Sequence, residues 1–340
     1  MFSPGTRRDF LRIVSASAVS LSALPEWGRA WWFAETTLPR SKDLPKIDGA
    51  LIFNDEARER MATDIGGNFH RLPVAVLRPR SVEDVPKVVH FANKNGVRIA
   101  MRGQGHSQYG QTLVQDGIVI DSSTLNAVRL KDERTVDAQA GASWGEVTHL
   151  TLAQGLTPPA MGDTMTLSVG GILSAGGVSN SSHLFGGVVD NVEELDVVTG
   201  AGDLLRCSAQ RNKGLFELAL AGMGQCGLIV GARLRLAPAP RWVVRRDLEY
   251  DDLTTFLSDH RTLAIQAPVE HLGGYVLPRE GGPGWRFRIN IGKFCASPEK
   301  IDFGAVESGL HFKSHSEPIA QSFSDYLQRE VARNAAPWLR

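Results

Sequence analysis

The apolar positions of the chain fall into two rhythms. In "SVEDVPKVVHFANKNG", Val82, Val85, Val88, Val89 and Ala92 recur at helical spacing. Ser81 stands where an N-cap belongs, Asp84 follows three residues later and Gly96 closes the run, so the pattern predicts a helix over 81–95. "SWGEVTHLTLAQG" repeats the scheme: Ser143 and Glu146 are spaced as a capping box, Trp144, Val147 and Leu150 share a face, and Gly155 ends it. The second rhythm is short and β-rich. "VRIAM" and "GIVID", the latter Gly117 to Asp121, predict strands on either side of a polar loop. "VEELDVVTGAGDLLRCS" reads as a hairpin turning at Gly200 to Gly202, "GLFELALAG" as a short helix and "LIVGARLRLAP" as a strand in which Arg233 and Arg235 alternate with apolar residues. Beyond Pro240 come strand-like "HLGGYVLP" and "WRFRINIGKF", then "PIAQSFSDYLQREVARNA", which reads as helical. Helices and strands intermingle without internal repeats, so the expected class is α+β with mixed sheet order and a boundary near residue 239.

The first thirty residues follow another logic. Paired Arg7 and Arg8 precede Asp9-Phe10-Leu11, and the apolar run from Ile13 to Leu24 is too short to span a bilayer. Pro25 breaks the run and Gly28-Arg29-Ala30 supplies small residues for cleavage near Ala30. The segment 1–30 resembles a bacterial twin-arginine signal, which implies export to the periplasm or exterior after folding, with no stable membrane anchor once it is cleaved.

Charge changes the picture little: 37 lysines and arginines balance 37 aspartates and glutamates among 340 residues, so nothing recommends nucleic acid or acidic lipid, and a small-molecule substrate is expected. Glycine changes it more. Of its 35 copies, 21 cluster between Gly103 and Gly231, where backbone must turn sharply or approach something closely. Cys207, Cys226 and Cys295 are widely spaced without a CxxC pair, which argues for small buried hydrophobes rather than a disulfide framework or a zinc site. His149 and His183 show no ligand spacing, so no metal is expected, and "NSS" at Asn180 reads as a plain turn.

The loop between the first two strands, "MRGQGHSQYGQ", carries the candidate chemistry. It follows a strand's carboxyl end, a common place for ligands. Its G-x-G-x-x-Q lacks the third glycine of a dinucleotide fingerprint, and no phosphate-binding G-x-x-x-x-G-K-[ST] occurs in the chain. Successive amides here can still form a concave anion site, with Ser107 adding a hydroxyl and His106 among them. On residue chemistry alone, a lone loop histidine is more often a surface group or a satisfied hydrogen-bonder than a functional one.

Five stretches in order, "ATDIGGNFHRLPVAVLRPRSVEDV", "RGQGHSQYGQ", "GDTMTLSVGGILSAGGVS", "LDVVTGAGDLLRCS" and "GMGQCGLIVGARLRLAPAP", add a family pattern. From about Ala62 to Pro240 the chain resembles the PCMH-type FAD-binding domain of the vanillyl-alcohol-oxidase family, and within it cytokinin dehydrogenases. The resemblance implies a two-subdomain FAD-binding domain at 62–239, followed by an incomplete α+β substrate cap domain at 240–340, since such relatives continue well past the point where this sequence stops. It implies FAD bonded through its 8α-methyl carbon to His106. It also implies that Gly103, Gln104, Gly105, Ser107 and Gln111 lie against the flavin and its pyrophosphate, that Ser168, Ser174 and Val178 line the cofactor, and that Ile229 faces the adenine or ribose end. Asp163 takes the position of the catalytic aspartate, facing flavin and substrate; on its own chemistry, an aspartate beside glycine and threonine reads as a turn cap. Gln104 replaces a commoner small or basic residue, and Gly273 stands roughly where many cytokinin dehydrogenases carry a glutamate at the substrate entrance.

The implied activity is oxidation of a secondary amine, the N6 side chain of an adenine derivative, to an imine that water then splits. A quinone or dioxygen is the implied electron acceptor. Two alternatives stay open: oxidation of an alcohol or sugar lactone on the same fold, and a non-catalytic flavin-binding protein.

Overall fold

Why the glycine-histidine loop exists follows from the first sheet. In the computed structural model, which describes residues 44–162, 164–266, 269–279 and 281–327, strands β1 (Ala50–Ile52), β2 (Ala75–Arg78), β3 (Ile99–Arg102) and β4 (Ile118–Asp121) form a four-stranded sheet in the order β1-β2-β4-β3. Both β2 and β3 run parallel to β4, whereas β1 is antiparallel to β2. Parallel neighbours need a crossover, because the chain must return along the whole strand before it pairs. The helix α2 (Asp84–Asn95) makes one crossover, from β2 to β3; α1 (Asp55–Arg60) lies earlier, between β1 and β2. Residues 103–117 make the other crossover, from β3 to β4, without a helix, and so hold the loop against the carboxyl end of β3.

The predicted helix at 81–95 is real but begins later. Glu83, not Ser81, occupies the N-cap and makes no side-chain cap bond, while Gly96 ends the helix in the left-handed conformation as expected. Asp84 explains the shift: its buried carboxylate accepts backbone N–H bonds from Asp48, Gly49, Arg80 and Ser81, which tie the approach to β1 onto the helix start. Burial alone raises its pKa, but those bonds outweigh it and hold the group below the usual carboxylate value.

The second sheet is antiparallel, with β5 (Val128–Asp132), β6 (Thr135–Gln139), β8 (Val192–Val198), β9 (Leu204–Ser208) and β10 (Leu228–Arg235) in the order β5-β6-β10-β8-β9. The hairpin predicted at Gly200 to Gly202 joins β8 to β9. Helices α3 (Trp144–Leu152), α4 (Val169–Ala175) and α6 (Lys213–Ala219) lie against this sheet, while α5 (Ser182–Phe185) is a single turn after α4. Trp144, Val147, Leu173, Leu195 and Leu234 form the core between them, each almost fully buried. A short ribbon of β7 (Leu156–Thr157) and β11 (Ala237–Pro238) precedes the last part of the chain.

The third sheet runs β13 (His271–Pro278), β14 (Trp285–Cys295), β12 (Trp242–Tyr250), with β15 (Ser314–His315) and β16 (Ile319–Ser322) both pairing β12. One face buries Leu248, Ile289 and Ile291 under Phe256 and Leu263 of α7 (Leu253–Gln266). The other face carries Arg288, which pairs with Asp247 and Glu249. Here the sequence expectation needs correction, since 319–322 is strand rather than helix, and helix begins only at Phe323. The free edge of β12 captures the segment, a long-range pairing that outweighs its local pattern. The remainder of that predicted helix, like the 1–30 signal, lies outside the described residues. Among those residues no helix is long and apolar enough to cross a membrane.

Candidate functional site

A cavity of about 1120 Å³ opens where the end of β3, the amino end of α4 and the start of β10 meet. Small-molecule sites usually measure roughly 300–1,000 Å³, so this one suits a ligand of dinucleotide size. Gly103, Gln104, Gly105, His106, Ser107, Gln111, Ser168, Ser174 and Ile229 all line it. Val178 does not; it lies 76% exposed. Asp163 is outside the described residues. Its neighbour Gly162 lines a separate cavity of about 90 Å³ walled by Met165, Asn180, Phe294, Phe323 and Tyr326, where the segment before α4 meets the third sheet.

Two glycines set the loop's shape. A Cβ at Gly103 would collide with the Ser168 hydroxyl, so loop and helix start approach as closely as only glycine permits. Gly105 has φ +74° and backs directly onto the guanidinium of Arg102. Among the described residues, the amides from Gln104 to Ser107 find no protein acceptor. The first-turn amides of α4 are all occupied, Val169 by Ala142, Gly170 by Ala140 and Gly171 by the Ser168 hydroxyl. Of the two, the loop and not the helix terminus therefore has free N–H groups to offer an anion.

The hydroxyls play a different part from the one the sequence implies. Ser168 is the N-cap of α4, Ser174 donates to the Gly170 carbonyl, and Ser107 bonds Thr112 within the loop. Gln111 accepts the Tyr109 amide through its side chain and so braces the turn. These groups line the cavity chiefly by shaping it. His106 faces the cavity with no hydrogen-bond partner among the described residues, and desolvation there lowers its pKa, so the imidazole is neutral at neutral pH.

Sequence reasoning missed several wall residues. Arg71 donates to the Gly110 carbonyl and Arg98 to that of Gln115, and both side chains border the cavity. Met223 holds a positive φ of 54° beside it, with its amide bonded to the Ser174 carbonyl. None belongs to a periodic or spaced pattern, so no local signal marked them. The cysteine expectation also needs correction: Cys207 is buried, its thiol pushed up to about 11 by burial and by nearby Asp196, but Cys226 is exposed and Cys295 partly so. Among the described residues no cluster of histidine, cysteine and carboxylates has the makings of a metal site.

A family model described as an FAD binding domain matches residues 73–208. The uncharacterized oxidoreductase ORF5 in the fasciation locus of Rhodococcoides fascians is 35% identical over 78% of this chain and 61% of that protein. Cytokinin dehydrogenase 9 of Oryza sativa subsp. japonica is 37% identical over 86% of this chain and 58% of the relative. Cytokinin dehydrogenase 1 of Arabidopsis thaliana is 34% identical over 68% and 41%. The chain thus spans about three fifths or less of the length of these relatives. In fold, the crystal structure of 6-hydroxy-D-nicotine oxidase from Arthrobacter nicotinovorans superposes with a TM-score of 0.70 at 20% identity, covering 86% of this chain and 65% of that one. The α+β architecture of a PCMH-type domain expected from the sequence is the one observed.

Proposed function

The FAD-binding domain of this chain belongs to the vanillyl-alcohol-oxidase family, and on that premise we propose that the protein is an FAD-dependent oxidoreductase that oxidises a secondary amine, the N6 side chain of an adenine derivative. The observation that carries this reading is the loop itself: free amides from Gln104 to Ser107 face a dinucleotide-sized cavity beside a neutral, unpartnered His106.

Each residue then has a task. The loop amides would receive the diphosphate of FAD, held in place by the tight packing of Gly103 on Ser168 and of Gly105 on Arg102. The neutral imidazole of His106 would offer a nitrogen lone pair for a bond to the flavin's 8α-methyl carbon, whose C–H proton would be lost while the bonding electron pair passes into the flavin ring and on to the same electron acceptor that reoxidises it in turnover. Flavin, when bound, supplies a hydride acceptor at N5. Asp163 serves as the base: as the hydride leaves carbon, the amine nitrogen gives its proton to this carboxylate, and the resulting imine is hydrolysed by water. A quinone or dioxygen then takes the electrons. Export through the 1–30 signal places this chemistry in the periplasm or outside the cell.

The test is anaerobic mixing of the purified flavoprotein with isopentenyl adenine and, separately, with a sugar lactone. Bleaching of the flavin by the adenine alone is the expected result. Bleaching by the lactone alone would replace the amine by an alcohol-type substrate, and bleaching by neither would favour a flavin-binding protein without this activity.

A further inference from the structure

Arg102 closes β3 immediately before the loop, yet its side chain does not line the cavity. It turns behind the loop instead. Nη1 donates to the Thr63 carbonyl at 2.6 Å, and the guanidinium packs flush against Gly105, filling the space a Cβ would need. Its own carbonyl accepts the Ser122 hydroxyl, which fixes the strand end from the other side. The stretch that begins at Thr63 backs the loop further along: the Ile65 amide donates to the Ser107 carbonyl, Phe69 packs on Gly110, and Arg71 donates to the Gly110 carbonyl.

The charge is as telling as the shape. Among the described residues no carboxylate lies within ion-pair distance of this guanidinium; Asp121, its register partner on β4, is engaged with Arg78 and Ser123. Asp64 spends one carboxylate oxygen on the amides of Asn68 and Phe69. Burial lowers the Arg102 pKa and the two aspartates act against it, so it remains a cation at any physiological pH. A half-buried positive charge thus stands behind a row of amides that have no acceptor.

We infer that Arg102 is a positioning residue for the loop: its guanidinium, keyed under Gly105 and anchored to Thr63, holds the amides from Gln104 to Ser107 and His106 in place, and its unpaired charge favours the diphosphate received in front of it. The charge half rests on the FAD reading above; the shape half does not. Planarity matters for the shape, because a flat group seats against a glycine backbone where an ammonium does not.

Hydrogen exchange separates the two on the full chain, purified from riboflavin-limited cells, with FAD uptake measured afterwards. In Arg102→Met, the Ile65 amide, which is bonded to the Ser107 carbonyl of the loop, should exchange about tenfold faster while the amides of β4 stay as in the wild type, since opening becomes local. FAD affinity should fall by about tenfold or more with the charge removed. Arg102→Lys should leave the loop equally loose but recover part of the affinity. Unchanged Ile65 exchange in Arg102→Met or equal loosening of β4 would each overturn the positioning role; full Ile65 protection in Arg102→Lys would overturn the part assigned to the planar guanidinium, and unchanged affinity in Arg102→Met would overturn the charge role. A wild type that takes up no FAD, with its Ile65 amide protected, would overturn the cofactor reading and the charge role together and leave the positioning result to stand on exchange alone.

Discussion

Gly103 sits so close to Ser168 that the two cannot both keep their places if either gains an atom. Gly103→Ala should force the serine off its N-cap bond to Gly171 and crowd the loop, costing about 1–2 kcal/mol of stability, visible as a lower unfolding temperature, together with loss of bound flavin. An unchanged melting curve and full flavin content would show that the contact is not tight. At this scale the sequence was readable where residue type is dictated by backbone: Gly103 and Gly105, singled out in the glycine-rich loop, are positions where a Cβ would clash, and both line the cavity beside His106. Ser168 as a cap was not readable, because "SVGG" offers no glutamate three residues on to complete a capping box. Arg102 was hidden for a different reason. A single arginine at a strand end has no periodicity, and its partner Thr63 lies 39 residues away.

Elements were legible where their ends are written locally. α3 carries the full capping box: the Ser143 hydroxyl accepts the Glu146 amide while the Glu146 carboxylate accepts the Ser143 amide. Removing the hydroxyl in Ser143→Ala should destabilise the protein by about 1 kcal/mol, measured by denaturant titration at unchanged slope, and Ser143→Gly should cost only about a few tenths of a kcal/mol. A change in slope instead would mean that the substitution alters more than the helix end. Elements were misread where distant backbone decides. α2 starts three residues late because Asp84 is recruited by Asp48 and Gly49, and "IAQS" becomes β16 because β12 offers it an open edge. Neither partner is visible within a window of neighbouring residues.

Across the molecule, the parallel pairing of β3 with β4 is what creates a site. It obliges the chain to cross back, here without a helix, and the crossing carries the free amides and His106 into the space beside the second sheet. Mixed parallel and antiparallel order was anticipated from interleaved helices and strands; which strands neighbour one another was not, since β10 pairs both β6 and β8 across long separations. The third sheet braces the surroundings of Gly162: on β13 the Leu272 amide donates to the Asn180 carbonyl, and His271 meets the Tyr326 hydroxyl at 2.9 Å. The most direct test of a covalent FAD site in this cavity is to express the chain with ample riboflavin, denature and precipitate it in acid, and measure flavin absorbance in the washed pellet beside His106→Ala. Flavin should stay with the wild-type polypeptide and wash away from the variant. A colourless pellet from soluble, folded wild type, or a yellow one from His106→Ala, would contradict the assignment.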